Sequence, residues 1–373
     1  MHLIRELTGI EPIVEIGNWR VADQRYDVSA TTAFRSRPLK GRTLMIRANR
    51  DERMRAAVLT GPRCVDILEV ERPAAGPHHA LIKLEGCGLC ASNVPPWQGR
   101  PWFEYPMAPG APGHEGWGRV VEVGSEVSRV RVGERVGFLS DRALAEYDIA
   151  HERQLVRIPA TLEGRLAPAE ALACAMNAFR RADIRPGHAI AIVGIGFLGA
   201  LITELAAGAG ARVLAISRRK HALDRAREIG ATATLSLDAH ARLATAASRR
   251  ISEGLDRVGF DRVVEAAGTQ RTLDVAAGLV RIRGRLIIAG FHQDGPRRVD
   301  MQTWNWRGID VVNAHERDPD VYVDGMRAAL DAVATGKLHP DPLYTRYDLE
   351  DAPAAFEALE RRPAGFMKAV VTP

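Results

Sequence analysis

Residues 189–199 read AIAIVGIGFLG, and this stretch decides the fold of the chain. Its five leading apolar residues predict a buried strand, and the Gly-x-Gly-x-x-Gly pattern that follows predicts a turn opening a helix. Gly194 permits the tight turn, Gly196 lets the backbone approach a pyrophosphate, and Gly199 lets the helix pack closely on the strand. Amides at the start of the helix offer donors to phosphate oxygens. The predicted dinucleotide contacts are therefore Gly194, Gly196, Phe197, Leu198 and Gly199.

The sequence on both sides of this turn alternates between strand-like and helix-like segments. Strand-like runs occupy 189–193, 213–217, 261–265 and 285–289, and alanine-rich helical runs occupy 197–209 and 220–229. Such alternation predicts a parallel sheet with helices on both faces, which is the doubly wound α/β arrangement of the Rossmann fold. We assign this nucleotide-binding domain to residues 181–307.

The remainder of the chain has a different texture. From 54 to about 160, short β-branched runs separated by Gly and Pro predict a β-rich domain with many turns. After 308, two helical stretches at 321–335 and 352–361 precede a strand-like run at 367–371. Residues 1–53 hold ten Lys and Arg and few periodic apolar runs. We interpret 1–53 as an N-terminal appendage of unknown role, either a flexible extension or an early start codon, with an added structural arm as the alternative.

Composition excludes several classes of protein. The 373 residues are 46% hydrophobic and 26% charged, which is typical of a globular chain with enough apolar material for real cores. Fifty-one Lys and Arg against 46 Asp and Glu leave a net charge of +5. This excess is too small to predict a nucleic-acid partner, for which basic residues would gather on one face.

Cysteine usage and the opening residues indicate a reducing compartment. Four cysteines cannot form a disulfide framework for a chain of this size, and Arg5, Glu6 and Glu11 interrupt any secretory leader. The longest apolar run, at 189–202, is shorter than the roughly 20 residues that span a bilayer. We therefore expect a cytoplasmic protein with no membrane partner.

The end of the second strand carries a hint about the cofactor. An Asp or Glu that binds the ribose hydroxyls of NAD is expected there, but the sequence has Ser217, Arg218, Arg219 and Lys220. A carboxylate would repel a 2′-phosphate, whereas a hydroxyl and guanidinium groups would bind it. The sequence therefore favours NADP(H) over NAD(H), with Ser217, Arg218 and Arg219 as contacts. A solvated basic turn that does not contact the ribose is the alternative.

Possible metal ligands stand in three short motifs. The residues in question are Cys87, Cys90, His114, Glu115, Glu170 and Cys174. A thiolate, an imidazole and a carboxylate that converge with one open position form a catalytic zinc site, whereas a single Cys-x-x-Cys pair cannot close a four-ligand structural site. Taken singly, each residue is also compatible with an ordinary buried cysteine or a hydrogen-bonded core histidine.

Several motifs, in order, resemble the medium-chain dehydrogenase/reductase superfamily, the zinc-dependent alcohol dehydrogenases. They are GCGLCASN at 86–93, GHEGWGRVVEVG at 113–124, LAEYDIA at 144–150, GIGFLG at 194–199 and DPLYTRYDLEDAPAAFEAL at 341–359. The resemblance covers about 54–373, and 170–199 is most similar to the polyol, sorbitol and threonine dehydrogenase branch. It implies a GroES-like catalytic domain made of 54–180 and 308–373, with the Rossmann domain inserted between them.

The resemblance also implies a ligand set for one catalytic zinc. It makes Cys90 the thiolate ligand and His114 the imidazole ligand. Glu115 and Glu170 are both kept as the carboxylate, either as a ligand or as a partner of the bound water. Cys174 is an alternative third ligand that fits the register to the nucleotide turn less well.

Two further roles, and two departures from the family pattern, follow from the same motifs. Cys87 is the non-ligand neighbour, and Ser92 is the hydroxyl that passes the substrate proton toward solvent. Asn93 replaces the usual Asp, which removes a negative charge from the surroundings of the metal ligands and can alter metal affinity. Residues 133–146 are too short, and lack the cysteines, to bind a structural zinc.

The implied activity is interconversion of a secondary alcohol, polyol or sugar with its carbonyl, by Lewis-acid catalysis and hydride transfer to or from the nicotinamide. The resemblance implies a small-molecule substrate and a homo-oligomer, a dimer or a tetramer. Two alternatives are a zinc-free NADPH-dependent quinone or enone reductase and a catalytically inactive nucleotide-binding protein of the same fold.

A few other residues have two possible roles. Four aromatic residues between the ligand motifs either line a substrate pocket or simply pack: Trp97, Trp102, Phe103 and Tyr105. The polar cluster at 313–317 either touches substrate or forms a solvated loop. Lys368 is either a contact of a cofactor phosphate or a surface lysine.

Overall fold

The computed structural model of the protein describes residues 52–238 and 259–373. The predicted appendage, apart from its last two residues, lies outside the described residues. The strands are β1 Arg53–Gly61, β2 Cys64–Glu71, β3 His79–Gly88, β4 Glu115–Val123, β5 Arg135–Phe138, β6 Tyr147–His151, β7 Leu155–Arg157, β8 Ala189–Val193, β9 Arg212–Ser217, β10 Ala233–Ser236, β11 Phe260–Glu265, β12 Val280–Ile288, β13 Asp310–Asn313, β14 Tyr344–Asp348 and β15 Lys368–Thr372. The helices are α1 Val94–Gln98, α2 Ala169–Ala182, α3 Phe197–Gly208, α4 Lys220–Glu228, α5 Gln270–Leu279, α6 Met301–Arg307, α7 Pro319–Ala334 and α8 Ala352–Arg361.

The apolar run 189–193 forms β8, a central strand of a six-stranded sheet. The strand order is β10-β9-β8-β11-β12-β13, and every pair is parallel. Four of the five residues of β8 are fully buried, because helices cover both faces of the sheet. The predicted doubly wound sheet is confirmed, and the strand order reverses between β8 and β11. In such sheets the ligand binds beyond the carboxyl ends of the strands at this reversal.

The parallel sheet extends further along the chain than the sequence indicated. Strand β13 pairs with β12, with Asp310 opposite Arg285. The predicted end of the nucleotide-binding domain was residue 307, so the sheet continues six residues into the segment expected to return to the catalytic domain. Strand β12 also begins at Val280, five residues before the predicted run at 285–289.

The second, largely antiparallel sheet is built from distant parts of the chain. Its order is β14-β15-β3-β4-β5-β7, with β6 paired to β3 and a separate β1–β2 hairpin. Strand β15 lies between β14 and β3, with Val370 opposite Gly88. The expected β-rich GroES-like domain is confirmed, and its last strand, β15, is the second strand from one edge of the sheet.

The contact between α2 and α7 belongs to the same hydrophobic core as the nucleotide-binding sheet. That core includes Leu172 and Met176 of α2, Ile192 of β8 and Met326 of α7. Gly325 of α7 permits this approach, because a Cβ there would lie 2.4 Å from the Asn177 side chain. The packing fixes the ends of two helices that carry candidate site residues.

Candidate active site

Three of the predicted metal ligands lie together. One ligand atom from each of Cys90, His114 and Glu115 lies within 4.8 Å of the other two. Cys90 follows β3, and Glu115 begins β4, where it stands opposite Gly88 of β3. The antiparallel pairing of β3 and β4 therefore brings the two motifs to the same end of the sheet.

Charge and hydrogen bonding couple the Cys90 thiol to the His114 imidazole. Burial opposes the thiolate, but the hydrogen bond and charge of His114 outweigh it and lower the pKa of Cys90. Burial likewise opposes a charged imidazole, but Cys90 outweighs it and raises the pKa of His114 to about 10. His114 Nδ1 lies 3.0 Å from the Pro112 carbonyl oxygen. Because a carbonyl only accepts, Nδ1 carries the proton and Nε2 is left for a metal.

Asn93 joins the two ligand-bearing segments. Its Oδ1 accepts a hydrogen bond from the Cys90 backbone N–H at 2.8 Å, and its Nδ2 donates to the Pro112 carbonyl oxygen at 3.0 Å. That carbonyl is the one that orients His114. An Asp would accept from Cys90 but could not donate to Pro112 when ionised. The Asn93 amide therefore links the Cys90 backbone to the Pro112 carbonyl that orients His114. The sequence alone did not predict this role.

Glu115 has a second partner in Lys368. The Lys368 ammonium contacts both Glu115 oxygens, and the two side chains are 5% and 1% exposed. Burial opposes the charge on Lys368, but Glu115 outweighs it and raises the lysine pKa. The ammonium also lies 5.0 Å from the Phe197 ring centroid. Lys368 is thus not the surface lysine that the sequence suggested as its default.

Glu170 lies beside this group in a separate set of contacts. Its Oε1 accepts a hydrogen bond from the Tyr322 hydroxyl of α7 at 2.6 Å, and Cys174 Sγ lies 2.8 Å from the same hydroxyl. Burial raises the pKa of Glu170 and, further assisted by the Glu170 charge, that of Cys174. A cysteine held as a thiol is a poor metal ligand. These contacts favour the carboxylates over Cys174 as the third donor.

The two remaining residues of the Cys90 motif differ in environment. Burial raises the pKa of Cys87, which lies within the core of the β-rich domain. This environment agrees with a non-ligand role. Ser92 is half-buried in a short 3-10 turn, two residues after Cys90.

The glycine turn has the geometry that a dinucleotide requires. Gly194 has a φ of 104°, which is open to glycine but strained for other residues. A Cβ on Gly199 would lie 2.0 Å from the Gly194 carbonyl oxygen, whereas a Cβ on Gly196 would have no atom within 4 Å. The space next to Gly196 lies at the start of α3, whose first amides are those of Phe197 and Leu198.

The two arginines in the basic turn after β9 have different environments. Ser217 is buried and its hydroxyl accepts from the Arg219 backbone N–H at 3.2 Å, while Arg218 is exposed. The Arg219 guanidinium donates to the carbonyl oxygens of Ile195 at 3.0 Å and Phe366 at 2.8 Å. Arg219 therefore ties the glycine turn to the segment before β15, and Arg218 is left facing solvent.

Most of the ambiguous aromatic residues pack against other side chains. Trp97 is buried, stacks on Phe356 with ring centroids 5.4 Å apart, and donates to Glu360 at 2.9 Å. The Tyr105 hydroxyl donates to the Pro96 carbonyl. Trp102 is exposed against Phe103. Trp97 is the buried residue among the four, and these packing contacts account for its position.

The polar cluster at 313–317 begins at Asn313, the last residue of β13, and continues as a loop with one aromatic contact. Glu316 accepts from the backbone N–H groups of Arg317 and Asp318, which is an ordinary turn arrangement. His315 stacks on Phe291 with ring centroids 5.6 Å apart. These contacts agree with the interpretation of this stretch as a loop.

Comparison with known proteins agrees with this geometry. Residues 76–160 match the alcohol dehydrogenase GroES-like domain, and residues 198–332 match the zinc-binding dehydrogenase family. A probable zinc-binding alcohol dehydrogenase of Mycobacterium tuberculosis is 31% identical over 69% of this chain and 73% of its own length. The chain belongs to the zinc-type alcohol dehydrogenases of the medium-chain superfamily.

Other relatives of this dehydrogenase are similar over most of their length. A sorbitol dehydrogenase of Halalkalibacterium halodurans is 26% identical over 82% of this chain and 95% of its own. A solved structure from Sinorhizobium meliloti 1021, assigned to the zinc-binding dehydrogenases and bound to NADP, is 28% identical with a TM-score of 0.72. It covers 86% of this chain and 99% of its own. These relatives support the polyol dehydrogenase branch and a nicotinamide oxidoreduction.

The residues of this dehydrogenase fit the groups that the family implies. The donors at Cys90, His114 and Glu115 are the sulfur, nitrogen and oxygen atoms that zinc prefers. The space beside Gly196, which a Cβ would fill, fits a pyrophosphate held against helix amides. Within the described ranges, no helix has both the length and the apolar character needed to cross a membrane.

The sequence analysis missed one side chain that reaches the site. Tyr322 comes from α7, 152 residues after Glu170, and contacts both Glu170 and Cys174. No local motif marks it. The only signal was its place on the buried face of a helix predicted at 321–335, which does not say what that face meets.

Proposed function

We propose that this dehydrogenase uses one zinc ion and NADP(H) to interconvert a secondary alcohol, polyol or sugar with its carbonyl. The observation that carries the proposal is the convergence of Cys90, His114 and Glu115 on one point. Membership of the zinc-type alcohol dehydrogenases and similarity to a sorbitol dehydrogenase support the substrate class.

In this proposal Cys90 and His114 hold the zinc, and Glu115 or Glu170 completes the set. The zinc, when bound, supplies a Lewis acid for the substrate oxygen, and the nicotinamide exchanges hydride with the substrate carbon. The Pro112 carbonyl keeps the His114 ring in one orientation. Ser92 accepts the substrate hydroxyl proton and passes it toward solvent. Lys368 holds the Glu115 side chain in place through the buried ion pair.

NADP(H) is proposed in preference to NAD(H) because no carboxylate follows β9. Ser217 ends the strand and Arg218 is exposed beside it, so a 2′-phosphate meets a hydroxyl and a guanidinium and no acidic group of this turn. The NADP bound to the relative from Sinorhizobium meliloti supports the same preference.

The deciding experiment combines metal analysis with a substrate screen. Purified protein is assayed for zinc and then for oxidation of a panel of secondary alcohols and polyols with NADP and with NAD. We expect about one zinc per chain, activity that a chelator removes, and higher kcat/KM with NADP. Zinc-free protein with chelator-resistant reduction of quinones or enones would instead establish the reductase alternative.

Variants of two cysteines test the assignment of the metal site. Cys90→Ala is expected to remove zinc and turnover while NADP binding, measured by calorimetry, persists. Cys64→Ala is the matched control, since Cys64 is exposed on β2 and does not belong to the cluster. Unchanged turnover in Cys90→Ala would overturn the zinc assignment and leave a metal-free reaction. Wild type that binds NADP but turns over no substrate would instead establish the inactive nucleotide-binding alternative.

The family resemblance also carries a proposed quaternary state and location. A homodimer or homotetramer is expected, and light scattering of the purified protein measures it. A cytoplasmic location is expected, and fractionation of cells that express the protein measures it.

A further inference from the structure

Arg362 is an arginine whose position calls for an explanation. It ends helix α8 with a φ of 49°, in the left-handed region. Glycine is the residue that usually closes a helix in this conformation, because a Cβ adds steric cost. A residue that keeps a long charged side chain at such a position is a candidate for a role outside the helix.

The surroundings of Arg362 are positive. It lines an open depression of about 470 Å³ together with Arg219, Lys220, His221, Asp224 and Ala364. Protein atoms around the guanidinium, and then the charge of Arg218, lower the pKa of Arg362. Burial, and then Arg362 and Arg218, lower the pKa of Arg219 to about 10. Arg219 and Arg362, from two parts of the chain, thus line one depression, and the charge of the exposed Arg218 acts on both.

No carboxylate among the described residues balances this group. Asp224, the acidic residue of the depression, pairs with Lys220 at 2.6 Å and with Arg227 at 2.9 Å. The Arg219 guanidinium is occupied by two backbone carbonyls. Within the part of the chain that the structure describes, Arg218 and Arg362 have neither a side-chain hydrogen bond nor an ion pair. The charge of Cys90 acts on the pKa of Arg362 in the opposite direction to that of Arg218. Like charges brought close together are destabilising, and an anion bound between them relieves their repulsion.

The depression also adjoins the nucleotide site. Arg219 fixes the segment before β15 to the glycine turn through Phe366 and Ile195. Arg218 is the residue after Ser217, where the ribose of a dinucleotide is expected. The place of the three guanidinium groups is therefore defined relative to the cofactor.

We propose that Arg362 binds a phosphate group of the dinucleotide together with Arg218. This inference rests on the proposed function. It makes the cofactor site a product of two parts of the chain, since Arg218 follows β9 and Arg362 comes from the C-terminal segment. Arg219 then has a positioning role, whereas the sequence analysis had it contact the phosphate. The 2′-phosphate of NADP and the pyrophosphate common to NADP and NAD present the same chemistry, so the test separates them.

The test measures binding of NADP and of NAD by calorimetry to wild type, Arg362→Gln and Arg362→Gly. Loss of one guanidinium–phosphate contact is expected to weaken binding about tenfold or more. A loss confined to NADP assigns Arg362 to the 2′-phosphate, and an equal loss for both dinucleotides assigns it to the pyrophosphate. Unchanged affinity for both overturns the proposal.

Two controls keep this result interpretable. Arg361→Gln removes a neighbouring arginine that pairs with Glu357 at 2.9 Å, and it is expected to leave both affinities unchanged. Arg362→Gly suits the left-handed conformation, so its loss of binding is not a loss of folding. Wild type that binds neither dinucleotide defeats the proposed function and this inference together. Wild type that binds NADP, with Arg362 variants that bind it equally well, defeats this inference alone.

Discussion

At the scale of single residues, the amide of Asn93 joins the two segments that carry Cys90 and His114. It holds the backbone beside one ligand and the carbonyl that orients the other. Groups that hydrogen-bond to metal ligands or to their immediate supports change metal affinity by about 10- to 100-fold when removed. The departure from the family's usual Asp therefore preserves a connection between the ligands while it alters the charge.

Replacing Asn93 tests this connection. Asn93→Ala is expected to weaken zinc binding about 10-fold or more and to destabilise the fold by about 1–3 kcal/mol, because the Cys90 N–H and the Pro112 carbonyl lose a partner. Asn93→Asp keeps the acceptor for Cys90 and is expected to fall between Asn93→Ala and wild type. Competition with a chromophoric chelator measures the affinity. Equal zinc affinity in all three proteins would contradict the role.

Asp148 gives a prediction for pH. Burial, partly offset by Ser140, raises the pKa of this carboxyl to about 6 from its usual 3.8. The folded state then holds a proton that the unfolded state releases, so stability falls as pH rises from about 4 to 6. Asp148→Asn is expected to be more stable than wild type at pH 7 by about 1–3 kcal/mol.

The measurement is urea unfolding of both proteins at pH 4.5 and at pH 7. The gap in the free energy of unfolding between Asp148→Asn and wild type should grow with pH. A gap of constant size would show that the carboxyl does not titrate in this range. Asp66→Asn, at an exposed carboxylate on β2, serves as the comparison.

At the scale of elements, two glycines of the same turn are expected to affect different properties. Gly199 affects the stability of the fold, and Gly196 affects the binding of the dinucleotide. A Cβ at Gly199 collides with a backbone carbonyl of the turn, while a Cβ at Gly196 points into open space. Gly199→Ala is expected to cost about 1–3 kcal/mol of stability through overpacking. Gly196→Ala is expected to keep its stability within about 1 kcal/mol and yet bind dinucleotide more weakly.

Thermal unfolding and NADP titration of the two variants distinguish these effects. The expected pattern is a lower Tm for Gly199→Ala and a higher Kd for Gly196→Ala at nearly wild-type Tm. A Gly196→Ala protein that binds NADP as wild type does would mean that the cofactor backbone does not approach this position.

Elements whose apolar pattern is regular were predictable from the sequence, whereas elements whose pattern is interrupted were not. Strand β8 and helix α8 have the predicted bounds. Only the second half of strand β12 was predicted, because Arg283, with a φ of 55°, and Gly284 interrupt its apolar pattern in the middle. Cys90 and His114 were found because each stands in a local motif. The partners of Glu115 and Glu170, Lys368 and Tyr322, come from distant segments whose approach only the tertiary fold determines.

At the scale of the whole molecule, the buried pair of Glu115 and Lys368 joins β4 to β15. Removing one partner of a buried pair leaves an uncompensated charge and costs about 3–5 kcal/mol. Lys368→Met is expected to destabilise the protein by about this amount. The double variant Lys368→Met/Glu115→Gln is expected to recover much of the loss, since no buried charge remains.

Chemical denaturation of wild type, both single variants and the double variant gives the free energy of unfolding of each protein. Together these values form a double-mutant cycle that measures the interaction between Glu115 and Lys368. A double variant that loses the sum of the two single effects would show that the pair is not coupled. Circular dichroism of each variant before denaturation establishes that the comparison is between folded proteins.

The place of β15 has a consequence for synthesis on the ribosome. Its Val370 pairs with Gly88 of β3, so about 280 residues separate two neighbouring strands of one sheet. At roughly 5–20 residues per second, the ribosome needs about 15 to 60 s to add that length. Throughout that interval the end of β3 at Cys87 and Gly88 has no partner strand on this edge, because β6 pairs only with His79–Lys83. The unpaired backbone groups at this strand end can pair with other nascent chains on the same messenger RNA. A chaperone that shields the end of β3 would therefore raise the yield of active protein.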